Sequence, residues 1–293
     1  MESNVATQVL LPLALGIIML GLGLSLSIAD FKRVAQYPRA VVVALVCQML
    51  LLPAACFGIA KLLGLPGELA VGLMLLAASP GGATANLFSH LARGDVALNI
   101  TLTAVNSLLS LFTLPLIVNA SLQAFMAADT TVGLQFGKVV QVFAIVLIPV
   151  AIGMLIHAKK PAVASSLERP VRILSVLFLV AIVISSIVKE RANIGEWFGQ
   201  VGLAALLFNL VSLGVGYFVP RLARVPDRQS VAIGMEIGIH NGTLAIAIAS
   251  SPTLLNNSVM SIPPAVYSVI MFFTAAGFGY LVSRRTRAPD FTG

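Results

Sequence analysis

Long apolar runs joined by short polar connections dominate this chain, and they mark nine segments at 8–28, 39–63, 68–91, 96–121, 136–157, 170–188, 197–219, 229–250 and 263–283. Each is close to or above the roughly 20 residues that carry a helix across a bilayer. The runs are continuous rather than alternating, so the pattern predicts α-helices and not the strands of a barrel. Two of the nine cannot be unbroken helices. The third contains Ala77-Ala78-Ser79-Pro80-Gly81-Gly82-Ala83-Thr84-Ala85-Asn86, where proline removes an amide donor and two glycines weaken the helix. The eighth contains Gly234-Met235-Glu236-Ile237-Gly238-Ile239-His240-Asn241-Gly242-Thr243, with three glycines and a carboxylate, an imidazole and an amide in an otherwise apolar run. An opened backbone at membrane depth is tolerated only against protein or a water-lined cavity. Two interrupted spans in corresponding places are the pattern of a transporter built from repeats with a site at the midplane. The two lie five spans apart, and an odd displacement inverts the second copy.

Composition agrees with the spans and changes little else. The chain is 58% hydrophobic and 10% charged, far below the roughly 25% charge of soluble domains, so an all-α polytopic membrane protein in a lipid bilayer is expected. The net charge of +7 would ordinarily raise nucleic acid as a partner, but topology accounts for it. Fourteen of the 18 basic residues, including Lys32, Arg33, Arg93, Lys159, Lys160, Arg221, Arg228 and Arg284, fall on one side of the nine-span scheme; Lys61, Lys138, Lys189 and Arg191 fall on the other. Positive residues gather on cytoplasmic loops, which predicts an external amino terminus and a cytoplasmic carboxyl terminus. The first run has no Lys or Arg before it and no cleavage site after it, so it reads as a retained span rather than a signal peptide. Cys47 and Cys56 share one apolar run and read as buried thiols.

The chemistry concentrates on Glu236. A carboxylate inside hydrocarbon carries a penalty of at least about 2.5 kcal/mol, and no Lys or Arg lies mid-span to pair with it; a cation, a proton or a wet cavity must accompany it. Asn99, Thr103, Asn106 and Ser110 form one polar stripe on span four, useful toward Glu236 and wasteful toward lipid. Gln48 is a lone amide in span two that needs a partner. The amides that begin the helices after the two breaks, around Ala83, Thr84, Asn241, Gly242 and Thr243, suit a carboxylate group. His90 and His157 sit at span ends and read as interfacial.

The motifs Ser79-Pro80-Gly81-Gly82-Ala83-Thr84-Ala85-Asn86, Leu91-Ala92-Arg93-Gly94-Asp95-Val96-Ala97-Leu98 and Glu236-Ile237-Gly238-Ile239-His240-Asn241 together resemble the bile acid:sodium symporter family. The resemblance implies inverted five-helix repeats with two discontinuous crossing helices, a core domain and a panel domain. This chain would lack the first of ten helices: a four-helix repeat over 1–121 and a five-helix repeat over 122–293. It implies a first sodium site at Ala85, Asn86, Asn99, Thr103 and Glu236, in which Ala85 offers only a carbonyl and Asn99 an amide oxygen in place of a hydroxyl. A second sodium site would fall on Gln48, Glu236, Ile237, Ile239 and His240. His240 departs there, since imidazole is a poor ligand for a hard cation. Where relatives carry Trp-His-Asn in the last helix, this chain has Ile270, Met271 and Phe272, a more apolar wall.

The function implied is a sodium-coupled symporter of a bacterial inner membrane, monomeric, importing a small organic anion such as pantoate or a keto acid, with a bile-acid-like substrate as the larger alternative. Sodium is the coupling ion and no other cofactor is expected. A proton-coupled variant would use Glu236 and His240 as a relay. An intramembrane metalloenzyme on the same pair is the weaker alternative, because hydrolytic zinc needs three protein ligands; no enzymatic activity is expected.

Overall fold

The computed structural model describes residues 19–82, 84–126, 136–167, 169–171, 194–251 and 254–285, with isolated positions between 13 and 17 and between 173 and 177. Most of the predicted span at 170–188 and the candidate residue Ala83 lie outside the described residues. The chain enters through helical residues 19–25 and a short α1 (Ile28–Lys32). Then follow α2 (Pro38–Leu62), α3 (Gly67–Ala78), α4 (Thr84–Leu91), α5 (Val96–Phe125), α6 (Phe136–Lys159), α7 (Ile194–Leu222), α8 (Asp227–Gly238), α9 (Gly242–Ser250) and α10 (Ile262–Arg285). Among the described residues four helical stretches, Pro38–Leu62, Val96–Phe125, Val201–Leu222 and Val259–Arg284, are long and apolar enough to cross a membrane.

Both predicted interruptions are present. The third segment is α3 and α4, separated at Ser79, whose ψ of 145° is extended as expected before Pro80. The eighth is α8 and α9, separated at Ile239, with φ −112° and ψ 82°. Asn241 caps α9 by accepting from the Leu244 amide at 3.0 Å.

Burial shows why these two segments are central. Leu69 to Ala78 of α3 and Ser230 to Gly238 of α8 are buried on every side. The long helices around them are buried over half of their length or less, with Leu116, Leu222 and Phe273 turned outward at 70%, 84% and 75% exposure. Apolar outer faces and interrupted helices inside are what lipid demands of the fold. Helix α3 packs against α2, α5 and α10, whereas α8 packs against α4, α5 and α7. Close approach sets part of that packing: a Cβ at Gly72 of α3 would lie 2.3 Å from the Met260 carbonyl oxygen.

The same local structures recur about 160 residues apart, as in a chain built from internal repeats. The entry to α3 uses Gly64 at φ 61° and a Leu65 amide bonded to the Ala60 carbonyl, and the entry to α8 uses Arg224 at φ 58° and a Val225 amide bonded to Pro220. Pro66 and Pro226 precede α3 and α8 with nearly the same backbone angles. Lys61 stands over the Phe57 ring as Arg221 stands over Tyr217. His157 is more than an interfacial residue, because its Nδ1 lies 2.6 Å from the Leu24 carbonyl and ties α6 to the entering segment.

Gly72→Ala is expected to lower the detergent melting temperature by several degrees, since adding a methyl group against backbone typically costs about 1–3 kcal/mol. Gly58→Ala and Gly214→Ala, whose added Cβ would meet nothing within 4 Å, should leave it unchanged or raise it. Equal melting temperatures for all three would refute the close α3 packing.

Candidate functional site: the paired breaks around Glu236

Breaking a helix frees carbonyls at the end of its first half and amides at the start of its second. Here the two breaks satisfy one another. Gly81 and His240 form an antiparallel bridge, in which the Gly82 amide donates to the Ile239 carbonyl at 2.7 Å and the Asn241 amide donates to the Pro80 carbonyl at 2.8 Å. Side chains complete the set. Gln48 lies in a π-helical turn of α2, Cys47–Leu51, and its Nε2 donates to the Ser79 and Ala77 carbonyls at 3.0 and 3.3 Å. The turn shifts the helix register by one residue and presents Gln48 to the first break, a local departure of the kind common at functional sites.

Glu236 is fully buried on the last turn of α8. The Thr103 hydroxyl donates to its Oε2 at 2.7 Å, and the Asn106 Nδ2 donates to its Oε1 at 3.4 Å. The carboxylate also presses on the first break. A Cβ at Gly81 would sit 2.2 Å from Oε1, so only glycine allows the chain to pass there. One turn earlier on α8, Asn99 Nδ2 donates to the Ala232 carbonyl at 2.8 Å. The predicted stripe on α5 therefore faces α8 through three of its members. Ser110, also buried, turns its hydroxyl back to the Ser107 carbonyl instead.

Asn106 belonged to the stripe but not to the expected ion ligands, and its contact with Glu236 could have been suspected from its place three residues beyond Thr103. Asn209 of α7, Tyr267 and Thr274 of α10 carried no such signal. Asn209 Nδ2 and the Tyr267 hydroxyl each donate to the Gly238 carbonyl at 2.9 Å, and Thr274 donates to Asn209 Oδ1. Gly238 ends α8, so this is the second break's counterpart of the Gln48 cap.

His240 lies in the bridge itself. Its Nδ1 is 3.3 Å from the Ser79 carbonyl, and because a carbonyl only accepts, that nitrogen carries the proton. Its ring stacks on Phe208 at 5.4 Å and meets Tyr267 edge-on at 5.5 Å. Gln48 and His240 thus share one acceptor, Ser79. Among the other expected ligands, Ala85 is buried on α4 with its amide bonded to the Gly82 carbonyl, and the Ile239 carbonyl already accepts from Gly82. Ile237 is buried one residue past Glu236.

Several polar atoms in this region are buried with no hydrogen-bond partner among the described residues: Asn86 Oδ1, Asn99 Oδ1, Asn106 Oδ1, Gln48 Oε1 and His240 Nε2. Four of these five are amide oxygens, the neutral hard donors that suit an alkali cation beside a carboxylate. For an anion the arrangement is narrower than expected. The Asn241 amide is engaged by Pro80 and the Gly242 amide by the His240 carbonyl. Thr84, exposed at the first turn of α4, and Thr243, half-buried at the first turn of α9, remain at positions where an amide has no partner within its own helix.

Known proteins of similar sequence were found across the chain. Residues 12–197 match the model of the sodium bile acid symporter family. A Bacillus subtilis protein described as an uncharacterized sodium-dependent transporter, YocS, is 28% identical over 255 residues, 87% of this chain and 77% of its own. The rat hepatic sodium/bile acid cotransporter is 28% identical over 269 residues, 92% of this chain and 72% of its own. The Arabidopsis thaliana protein described as probable sodium/metabolite cotransporter BASS1, chloroplastic, is 27% identical over 258 residues; these are 87% of this chain but only 62% of that longer relative. With well over half of its length matched to the family, and the three motifs in order along a helical membrane architecture, this chain belongs to the sodium bile acid symporter family.

Proposed function

We propose that this protein is a sodium-coupled secondary transporter that imports a small organic anion by alternating access. The observation that carries the reading is one fully buried carboxylate, Glu236, with the unpartnered side-chain oxygens of Asn99 and Asn106, whose nitrogens donate to α8. A carboxylate in a water-poor interior needs a counter-charge, and the basic side chains of this chain lie at the helix ends. Sodium supplies the charge, and Asn86, Asn99, Thr103 and Glu236 supply oxygens of the type it takes. The relatives named as sodium-dependent transporters or cotransporters support the same coupling ion.

One sodium ion, at the Glu236 site, fits the residues better than two. At the other expected site, Gln48 and His240 both donate to Ser79, and the Ile239 carbonyl is engaged. Imidazole there replaces an oxygen donor with a nitrogen that hard cations disfavour. The substrate class follows from the helix starts at Thr84, exposed, and Thr243, half-buried, and from the apolar Ile270, Met271 and Phe272 of α10, of which Phe272 stacks on Phe88 of α4; a compact carboxylate such as pantoate or a keto acid suits them better than a sterol-sized anion. We place the protein in a bacterial inner membrane with nine spans in two inverted repeats, amino terminus outside, acting as a monomer.

Two measurements test this. Purified protein in detergent should melt higher in sodium than in choline at equal ionic strength, by an amount equivalent to about 1.4 kcal/mol at ten times the dissociation constant. Glu236→Gln should abolish that response; a mutant responding as the wild type does would refute the ion site. In proteoliposomes, an inward sodium gradient should drive saturable uptake of radiolabelled pantoate or a keto acid, lost in choline. Asn99→Ala should raise the sodium concentration for half-maximal uptake by tenfold or so, as loss of an ion ligand or its support does. Uptake that ignores sodium would refute symport.

A further inference from the structure

Ser79 and His240 are 161 positions apart, and the same step takes Gln48 to Asn209, Ala77 to Gly238, Asn106 to Tyr267 and Thr113 to Thr274. Gln48 with Ala77 at one break and Asn209 with Gly238 at the other hold matching places. Gln48 reaches from α2 to the carbonyls that end α3, and Asn209 reaches from α7 to the carbonyl that ends α8. Asn106 reaches from α5 to α8, and Tyr267 reaches from α10 to the same helix.

The two sets differ in what they leave open. In the first, Gln48 Oε1 and Asn106 Oδ1 are buried without partners. In the second the groups at the end of α8 are engaged, with the Gly238 carbonyl accepting from Asn209 and Tyr267 and Asn209 Oδ1 accepting from Thr274, and the bare atom of that series is His240 Nε2 in the bridge. The Thr274 hydroxyl also lies 3.0 Å from the Ile270 carbonyl and 3.1 Å from that of Met271. It has one proton, and of the three acceptors the fully buried Asn209 Oδ1 is the nearest. A closed network of this kind is stiff.

We infer that Asn209, oriented by Thr274 and joined by Tyr267, is a positioning residue for the ion site, fixing the end of α8 so that Glu236 and the bridge through His240 hold their geometry. Gly238 lies two residues from Glu236 and two from His240, so its carbonyl is the hinge point between the carboxylate and the paired breaks. Anchoring it from α7 and α10 at once leaves the segment no freedom to swing away from Asn99, Thr103 and Asn106 on α5. The same groups hold His240, whose ring is clasped by Phe208, next to Asn209 in sequence, and by Tyr267. One half of the molecule has kept its polar cluster open, and the other has closed it into a mount. This rests on the sodium reading above.

The test compares Asn209→Ala, Thr274→Val and Thr274→Ser with Ser121→Ala, a buried α5 hydroxyl that returns to the Ile117 carbonyl of its own helix. The sodium concentration for half-maximal thermal stabilisation should rise about tenfold or more in Asn209→Ala and Thr274→Val, the range seen when an outer support of a metal site is lost. Thr274→Ser, which keeps the hydroxyl, should stay within about twofold of wild type, as should Ser121→Ala. Hydrogen exchange followed by mass spectrometry in sodium-free choline buffer should be faster in Asn209→Ala for peptides covering 78–90 and 234–250, and unchanged in Ser121→Ala. Wild-type sodium dependence with wild-type exchange in Asn209→Ala and Thr274→Val overturns the inference, and so does an equal loss in Ser121→Ala. If the wild type does not respond to sodium at all, the ion reading fails, and exchange alone then decides whether Asn209 holds the break. Should Asn209→Ala fail to fold, Thr274→Val and Tyr267→Phe, which remove one hydroxyl function each, carry the same comparison.

Discussion

Every structure inside a bilayer must satisfy its own backbone, and two broken helices at the centre of this one make that demand severe. An unpaired peptide group in hydrocarbon is penalised by several kcal/mol. The solution is mutual: the Gly82 and Asn241 amides cross to the Ile239 and Pro80 carbonyls, a fragment of antiparallel pairing embedded in an otherwise helical protein. Neither interruption could be buried alone. The requirement fixes the relative position of the two interrupted segments, and with it the position of Glu236 against Gly81. The freed carbonyls that the bridge does not reach are taken by amide side chains from neighbouring helices, Gln48 on one side and Asn209 on the other.

The site exists because of what this arrangement leaves over. Asn99 uses its amide nitrogen on the Ala232 carbonyl and keeps its oxygen free; Asn106 uses its nitrogen on Glu236 and keeps its oxygen free. In both cases the donor half is consumed by α8 and the acceptor half is left bare in a dry interior. Buried acceptors without donors are rare in native proteins unless a ligand belongs there. A carboxylate and several bare carbonyl oxygens together repel anions and water-poor surroundings alike, and they are relieved by a small cation.

Much of this was legible before any coordinates. Pro80 with Gly81 and Gly82, and the triple glycine around Glu236, announced two breaks because those residues oppose a helix wherever they occur. The stripe from Asn99 to Asn106 was legible because a period of 3.6 puts residues on one face regardless of context. What could not be read was how the elements register against one another. Nothing local says that Gln48 sits in a π turn, or that Asn209, a single amide in an apolar helix, meets the Gly238 carbonyl 29 positions away. The amides at Asn241 and Gly242 looked available to a substrate from sequence because helix starts generally are; the structure engages them, since the bridge and its tight turn use those donors first. Asn86 and Gln48 entered as ligands through the family resemblance and not through spacing; their side-chain oxygens have no hydrogen-bond partner among the described residues.

Charge at the centre also bears on energetics. On the proposed reading of one sodium per cycle, Glu236 with its ion is neutral, and the occupied site would cross the membrane without moving charge of its own. If a monovalent carboxylate travels with it, the loaded carrier bears one net negative charge and the returning empty carrier bears the same charge from Glu236. A complete cycle then moves one cation and one anion and is electroneutral. A membrane potential, worth about 2.3 kcal/mol per charge per 100 mV, contributes nothing to such a cycle, and accumulation rests on the sodium gradient alone. A second sodium would restore sensitivity to voltage, and the residue that stands against it is His240: its ring is fixed between Phe208 and Tyr267, and its Nδ1–H is held to the same Ser79 carbonyl that Gln48 uses. On that reading, an imidazole where the family resemblance implies an oxygen donor would change the driving force as well as the coordination.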